Sequence, residues 1–454
     1  MSLFGSLFSG VSALKAQSQA MSMIADNISN VNTVGYKAST ARFETLVTSS
    51  SSETTFTPGG VRARTLQLVD QQGLVQASTS STDLAIAGQG FFVVNSLADG
   101  SGSTLFTRAG SFLPDSLGNL VNSAGFYFQG WPLDVAGRLP GQAGNTTNTT
   151  SFADIASLTT VNVNTISGVA AGTTKVEIGA NLTASQASFT GTYTVGTSAN
   201  NMASGNVSAH FSRAVRVFDA QGTGHDLQIS FLKTTNNTWQ VEVYANPATD
   251  VTVGGSLKDG QVAVGTVVFN GDGSLASASS GLTDAATITW TNGSLASAVS
   301  FDFGTAGAVG TGKTNGLSQF DGGFNVAFVN QNGSEVGELN GISIDDEGFV
   351  IATFTNGQTQ KVFKVPIATF ADVTRLESRN GNVFVQTESS GQFNLREAGK
   401  GGAGLVAPSA LESANVDIGT EFTNMIITQR AFSASSKVIT TVDDMLDELI
   451  RIKR

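Results

Sequence analysis

The sequence ends in a long stretch whose apolar residues recur every seven positions. No proline follows Pro408, and Gly419 is the only glycine between residues 409 and 454. A seven-residue period is typical of coiled-coil helices, which present one apolar seam to a partner. An ordinary helix packed in the core of its own domain is the alternative that this stretch alone leaves open. The predicted seam consists of Ile418, Phe422, Met425, Phe432, Ile439, Val442 and Leu446.

The start and end of this helix also carry sequence signals. Ser409 and Glu412 stand three residues apart just after Pro408, which is the spacing of a capping box at a helix N-terminus. The last turn carries Arg451, Lys453 and Arg454, and the helix dipole favours cations there. The sequence therefore predicts a helix that begins near Ser409 and runs to the end of the chain.

A second heptad pattern lies at the opposite end of the chain, over residues 3–31, and Gly35 is its predicted stop. Terminal helices are marginal in water and gain most of their stability from packing. We therefore expect the two terminal helices to pack with each other, with neighbouring copies, or both. The seam residues of this second helix are Leu7, Val11, Leu14, Met21 and Ile28.

The chain between the helices is β-like, so the predicted fold class is multidomain α+β. Residues 1–37 and 409–454 would form a coiled-coil-like helical assembly domain, joined to the β region by an extended or loosely ordered linker, 38–80, rich in Ser and Thr. Similar strand and turn patterns in 81–144 and 322–408 predict one discontinuous β domain. Residues 145–321 would be an inserted outer β-sandwich or barrel, of one domain or two.

Composition excludes several classes of protein. The chain of 454 residues has a net charge of −11, which disfavours a nucleic-acid partner, and it contains no cysteine for disulfides or thiol chemistry. No run approaches 18 consecutive apolar residues, so no membrane insertion is expected. The first residues lack the basic segment of a Sec-type signal peptide, so an exported chain would need another route.

The sequence offers few groups for catalysis. His225-Asp226 could be a catalytic base with the carboxylate that orients it, or part of a metal site. Asp345–Glu347 could bind calcium. Neither group has the companion residues that such sites require. Gly88-Gln89-Gly90 lacks the strand and helix context of a phosphate-binding loop and is assigned to backbone packing. We therefore predict no enzyme activity, no cofactor and no metal.

Several short blocks along the chain carry a family resemblance. They cover parts of residues 1–131 and about 320–454, and the chain resembles the rod–hook–filament axial proteins of bacterial flagella, most of all the hook subunits. The blocks are FSGVSAL at 8–14, ADNISN at 25–30, TVGYK at 33–37, DLAIAGQGFF at 83–92, TRAGSF at 107–112, LESANVD at 411–417 and QRAF at 429–432. The motif residues taken from them are Asn27, Asn30, Gly35, Tyr36, Gly88, Gly90, Phe91, Gln429 and Arg430.

The resemblance implies a structural subunit that polymerises into a curved, flexible tube, the universal joint between rod and filament. The terminal helices would line a central export channel, and the β domains would lie outside them. It also implies extracellular assembly after passage through the flagellar type III export apparatus, without a cleaved signal peptide. The implied partners are further copies of the chain, the distal rod, the hook cap and the hook–filament junction proteins. A distal rod subunit or another axial protein, a secreted β-rich enzyme and an adhesin are the alternatives.

Overall fold

The structure is a computed structural model that describes residues 3–46, 59–134, 137–139, 155–309 and 315–452. It divides into two compact units. The first contains residues 1–166, 341–352 and 360–454, and the second contains 167–340 and 353–359. The finer division into four domains that the sequence suggests, with an insertion over 145–321, stays a prediction.

The first unit begins with a long helix followed by short strands. The helix α1 spans Leu3–Ser29. The strands that follow it are β1 (Ser39–Thr45), β2 (Val61–Gln67), β3 (Val75–Ala77), β4 (Leu84–Ala87), β5 (Phe91–Asn95), β6 (Thr104–Thr107), β7 (Phe112–Pro114), β8 (Leu120–Asn122), β9 (Tyr127–Pro132) and β10 (Thr159–Thr160).

The second unit holds two sheets around one apolar core, as a β-sandwich does. One sheet is antiparallel in the order β13-β14-β15-β17-β18, and the other runs β16-β19-β20-β12-β21, with β22 also on β12. Ile178, Phe231 and Trp239 belong to the shared core. Its elements are β11 (Val169–Ala171), β12 (Lys175–Asn181), β13 (Phe211–Phe218), β14 (Gly224–Thr235), β15 (Thr238–Ala245), β16 (Val251–Thr252), β17 (Gln261–Phe269), β18 (Leu275–Ala278), the short helix α2 (Ser280–Thr283), β19 (Ala286–Trp290), β20 (Ser297–Asp302), β21 (Leu317–Ser318), β22 (Asn325–Gln331) and β23 (Ser334–Gly337).

The chain then returns to the first unit and completes its sheet. The returning strands are β24 (Leu339–Ile344), β25 (Phe349–Phe354), β26 (Thr359–Lys364), β27 (Pro366–Thr369), β28 (Glu377–Arg379), β29 (Val383–Val385), β30 (Asn394–Glu397), β31 (Leu405–Pro408) and β32 (Ala410–Glu412), and the helix α3 (Ile418–Ile452) ends the chain. In the order β26-β9-β5-β6-β29-β28, the early strands β9, β5 and β6 lie between late strands. Early and late segments therefore share one core, which includes Phe92, Phe128 and Ile367.

The two long helices pack against each other in antiparallel fashion. A Cβ on Gly10 of α1 would lie 3.0 Å from Cγ1 of Ile439 on α3. At the other end of the pair, Met23 borders the same groove as Thr428. The predicted pairing of the terminal helices and the β-rich body between them are therefore confirmed. No helix in the described part of the chain is long and apolar enough to cross a membrane.

The predicted capping box is wrong. Ser409 lies outside the helix with a positive φ of 48°, and Glu412 ends strand β32. The helix begins at Ile418, and the carboxylate of Asp417 accepts the N–H of Thr420 at 2.7 Å, which also lowers the pKa of Asp417. The S-x-x-E spacing occurs here on a strand, because Ala410 and Glu412 pair with β3.

The segment predicted to be a linker contains ordered strands where the structure describes it. β1 and β2 pair antiparallel from Ser39 opposite Gln67 to Thr45 opposite Val61. This hairpin rests on α1, where the Ser12 hydroxyl accepts the N–H of Val61 at 3.1 Å. The Ser/Thr-rich composition of the segment concealed these strands. Residues 47–58 lie outside the described residues.

Candidate functional site

The motif blocks converge on one buried carboxylate, that of Glu412, which is 0% exposed. The Lys37 ammonium donates to its Oε1 at 2.6 Å, and Arg108 donates to its Oε2 at 3.1 Å. The backbone N–H of Gly73 also donates to Oε1, at 2.9 Å. We call Lys37, Arg108 and Glu412 the Glu412 cluster. It joins the end of α1 to the β domain and to the strand that precedes α3.

Burial makes this cluster sensitive to the loss of any partner. Lys37 is 1% exposed and Arg108 is 5% exposed. Desolvation lowers the pKa of both side chains, and the charge of Glu412 opposes that shift. Buried charges of this kind persist only when they are paired and hydrogen-bonded. Two cations share one carboxylate here, so Glu412 is the member that neither of the others can replace.

Two motif glycines are required by close packing, Gly35 against backbone and Gly90 against the side chain of Ile367. Gly35 has a φ of +68°, and a Cβ there would lie 2.6 Å from the backbone nitrogen of Ala109. Its N–H donates to the carbonyl of Glu412 at 2.8 Å. Gly90 has a φ of +124°, and a Cβ there would lie 2.1 Å from Cγ2 of Ile367. A side chain at either position would push apart segments that the cluster holds together.

The neighbouring motif residues extend the same network. Arg108 donates to the carbonyl of Gly88 at 2.8 Å and lies over the ring of Phe91, 5.3 Å from its centroid. Asn415 links the two chain ends again, since its Oδ1 accepts the N–H of Ala38 at 2.7 Å and its amide donates to Leu68 at 2.9 Å. The cluster therefore ties the chain just after α1 to the chain just before α3.

Asn27 and Tyr36 form a second polar junction where α1 ends. The Asn27 amide donates to the carbonyl of Ser39 at 2.8 Å, and its Oδ1 accepts the Tyr36 hydroxyl at 3.2 Å. Burial raises the pKa of Tyr36, and Asp26 and Glu421 raise it further. Desolvation likewise raises the pKa of Glu421 in the first turn of α3, although a hydrogen bond from Asn27 opposes the shift. Oε2 of Glu421 is buried with no hydrogen-bond partner among the described residues.

Replacing Glu421 by glutamine is expected to stabilise the α1–α3 pair at neutral pH. The pKa of Glu421 is raised in the folded chain, so this residue favours folding most below the ordinary glutamate pKa. The free energy of unfolding therefore falls as the pH rises through the raised pKa. Glu421→Gln should remove that fall. Thermal unfolding of the monomer between pH 4 and pH 8 measures this loss of stability. The control Glu448→Gln, at an exposed site on the same helix, should follow the wild-type curve. An equal fall in Glu421→Gln would contradict this assignment.

The structure does not place the predicted heptad rows uniformly inside the α1–α3 contact. Val442 is buried, whereas Val11, Ile418, Phe422 and Phe432 are exposed. The half-buried members are Leu7, Leu14, Met21, Ile28, Met425, Ile439 and Leu446. The assembly role of all these residues stays a prediction.

Small side chains form much of the buried face of α1. Gly10 allows a close approach to α3 at Ile439, and several larger apolar side chains, such as Phe4, Phe8 and Val11, stay exposed. The buried positions of α1 are Gly10, Ala16, Ala20, Met23, Ile24 and Asn27. On α3 the buried positions are Thr428 and Val442, fourteen residues apart, and of these two Val442 belongs to the predicted seam.

The helices consequently expose a large amount of apolar surface. Phe4 and Phe8 are 73% and 58% exposed, and Ile427 and Ile450 are 60% and 65% exposed. Contiguous apolar surface of this kind on a folded protein indicates an interaction site. The other exposed large apolar residues on the two helices are Val11, Ile418, Phe422, Ile426, Phe432, Val438, Met445, Leu449 and Ile452.

The remaining motif residues lie apart from the cluster. Gln429 and Arg430 are exposed on α3. Asn30 stabilises only the end of α1, where its amide donates to the carbonyl of Asp26 at 2.9 Å. The sequence prediction did not assign roles to Lys37, Arg108 and Glu412. Their signal was that charged residues, scarce in this chain at 13%, recur inside the motif blocks.

The groups considered for catalysis have structural environments. The His225 ring stacks on Trp290 at 4.1 Å, and its two nitrogens lie 3.2 Å from Asp250 and 3.4 Å from Asp219. Asp345 closes the turn between β24 and β25 by accepting the N–H of Phe349 at 2.7 Å. Within the described ranges, no group of three or more acidic or histidine side chains is arranged to hold a metal ion.

Comparison with protein families gives four matches that follow one another along the chain. Residues 7–37 match the flagella basal body rod protein family, and residues 85–192 match the flagellar hook protein FlgE/F/G D1 domain. Residues 181–334 match the flagellar basal body protein FlaE D2 domain. Residues 407–452 match the flagellar basal body rod FlgEFG protein C-terminal family. The first and last matches contain the two long helices and Glu412.

Relatives match over the whole chain. The flagellar hook protein FlgE of Caulobacter vibrioides is 32% identical, and that of Rhizobium meliloti is 33% identical, each with 100% of both chains covered. The flagellar hook protein FlgE of Escherichia coli is 31% identical over 98% of both chains.

Paired terminal helices, a β body and matches to rod and hook families define an axial structural protein of the bacterial flagellum. The full-length similarity is more specific: the chain belongs to the flagellar hook protein FlgE family. The function predicted from the sequence, a structural subunit of the flagellar hook, is thereby confirmed.

Proposed function

We propose that the chain polymerises through the exposed apolar faces of α1 and α3 into a curved, flexible tube. The observation that carries this proposal is the exposure of large apolar side chains on both helices, such as Phe8 at 58% and Phe422 at 51%. The helices approach closely where Gly10 lies beside Ile439, and they leave these large side chains for other copies. Covering each such side chain contributes roughly 1.5–3 kcal/mol.

The tube would join the distal rod to the filament and enclose a channel for export. Identical subunits joined by contacts that do not close give an open helical polymer, which suits a tube of variable length. The hook cap, the hook–filament junction proteins and the flagellar type III export apparatus are the proposed partners. Extracellular assembly after export without a cleaved signal peptide belongs to the same proposal.

Replacing Phe422 and Ile426 together by serine is expected to abolish polymerisation while the monomer stays folded. Both side chains are 51% exposed, so the monomer loses little packing when they are shortened. Purified full-length chain seeded with polymer fragments should give curved tubes of one diameter in electron micrographs, and the double variant should give none. Leu117→Ser, at a side chain 68% exposed in the β7–β8 turn, is the matched control.

Two results would contradict the proposal. Wild-type chain that forms only closed dimers would show that its contacts are not those of an open polymer. Normal tubes from the double variant would show that the apolar face of α3 is not the assembly surface. Circular dichroism of each variant establishes that its monomer is folded.

A further inference from the structure

A groove on α1 is separate from the α1–α3 contact. It lies between α1 and the β1–β2 hairpin and has a volume of about 310 Å³. Phe8, Val11, Leu46 and Val61 supply its apolar lining. Phe8, Val11 and Leu46 are 58%, 51% and 38% exposed, so the groove is open to an incoming apolar group.

Among the described residues, the charged side chains that line this groove have one sign. Lys15 and Arg62 are the charged side chains that line it, and both are exposed. On the hairpin, Glu44 pairs with both Arg62 at 2.9 Å and Arg64 at 3.3 Å, so one carboxylate is shared between two guanidinium groups. A complementary partner would therefore combine an apolar ridge with flanking acids.

The last turns of α3 have this combination. Met445, Leu449 and Ile452 are 51%, 50% and 74% exposed, and they stand at i, i+4 and i+7, the spacing of a helix that binds in a groove. The acids that flank Met445 and Leu449 are Asp443, Asp444, Asp447 and Glu448, and the cations Arg451, Lys453 and Arg454 follow them in the sequence.

This end of α3 cannot occupy the groove of its own chain. Because Gly10 lies beside Ile439 and the helices are antiparallel, Leu3 lies level with Leu446, and residues 447–452 extend past the start of α1. The groove is centred near Ser12, level with residue 437 of α3. Leu449 therefore lies about 18 Å further along the axis, at 1.5 Å per residue.

We propose that the groove receives the C-terminal end of α3 from a second copy of the chain. Met445, Leu449 and Ile452 would enter the apolar lining, and the flanking acids would meet Lys15 and Arg62. The two surfaces differ, so each copy offers a groove at one level and an α3 end at another. Such a head-to-tail contact propagates without closing. This contact rests on the proposed polymerisation and identifies one pair of surfaces that joins consecutive copies.

The absence of cysteine from the chain allows a sharp test, because the introduced thiols are the only ones present. Full-length chain with Val11→Cys and Leu449→Cys is polymerised and treated with a short bismaleimide. The contact predicts a ladder of covalent dimers, trimers and longer species on denaturing gels. A matched chain with Val11→Cys and Leu295→Cys, at a side chain 78% exposed in the second unit, should give no ladder.

Charge-reversal substitutions at the two surfaces supply an independent readout. Lys15→Glu should raise the critical concentration for polymerisation at least tenfold at low salt, and adding Glu448→Lys should restore at least part of the loss. Glu448→Lys alone should weaken assembly, whereas Lys258→Glu, on the second unit, should leave it unchanged.

The outcomes separate this contact from the proposed function. Wild-type polymers with no cross-linked ladder, as expected if residues 47–58 of the same chain cover the groove, overturn the contact alone. A cross-link confined within one chain also overturns it. Failure of the wild-type chain to polymerise overturns the proposed function, and this contact with it.

Discussion

Replacing Glu412 by glutamine is expected to lower the free energy of unfolding of the first unit by about 3–5 kcal/mol, the usual cost of breaking a buried ion pair. The variant keeps the shape of the side chain but leaves the ammonium of Lys37 and the guanidinium of Arg108 without a buried counter-charge. Hydrogen exchange followed by mass spectrometry measures the effect, because peptides around residues 31–39 and 405–416 report this unit separately from the other.

A matched glutamate elsewhere in the same unit provides the control. Glu44 also contacts two cations, Arg62 and Arg64, but its side chain is 42% exposed and theirs are 55% and 62% exposed. Water screens such pairs, so Glu44→Gln should leave exchange in the first unit close to that of the wild type. Equal effects of the two substitutions would mean that Glu412 is not the central counter-charge of the cluster.

Deleting α3 is expected to have opposite consequences for the fold according to where the deletion begins. Removal of 418–454 takes away the helix and its exposed apolar face but keeps Glu412 and Asn415. This chain should retain its β structure and form no tubes. Removal of 412–454 also takes away the partner of Lys37 and Arg108, and with it the hydrogen bonds of Asn415 to Ala38 and Leu68. The first unit should then unfold or become protease-sensitive.

Limited proteolysis and circular dichroism distinguish the two truncated chains, and electron microscopy shows whether either forms tubes. Full protease resistance in both chains would show that the segment 412–417 contributes little to the β fold. Tubes from the chain that lacks 418–454 would exclude α3 as an assembly element. Either result would require a different account of how the terminal helices contribute to the hook.

Much of the fold could be predicted from the sequence because its signals are local. A seven-residue period in both terminal segments indicates helices, whatever surface those helices pack against. The helix α1 is observed at Leu3–Ser29, and the prediction was 3–31. The alternation of apolar and polar residues, together with turn residues, similarly indicated the β body, including the hairpin turn at Asp345. The helix boundary near Ser409 failed because the same short spacing can occur on a strand.

The rotation of each helix about its axis could not be predicted. Periodicity shows that a stripe exists, but the partner decides which neighbouring row is covered. Gly10 lies against Ile439 of α3, Ala16 borders the groove beside the β1–β2 hairpin, and large residues such as Phe8 and Val11 stay exposed. The seven-residue period predicted the seam residues but left open whether they contact the other terminal helix or a neighbouring copy.

The sequence by itself determined the terminal helices, the β-rich body and the family resemblance, since each follows from residues close together in the chain. Only the tertiary structure decided what the motif blocks do there. Lys37 and Glu412 are 375 positions apart, yet their side chains meet at 2.6 Å. A buried ion pair between such distant residues leaves no local period or spacing, because its energy depends on the folding of the whole unit that removes both charges from water.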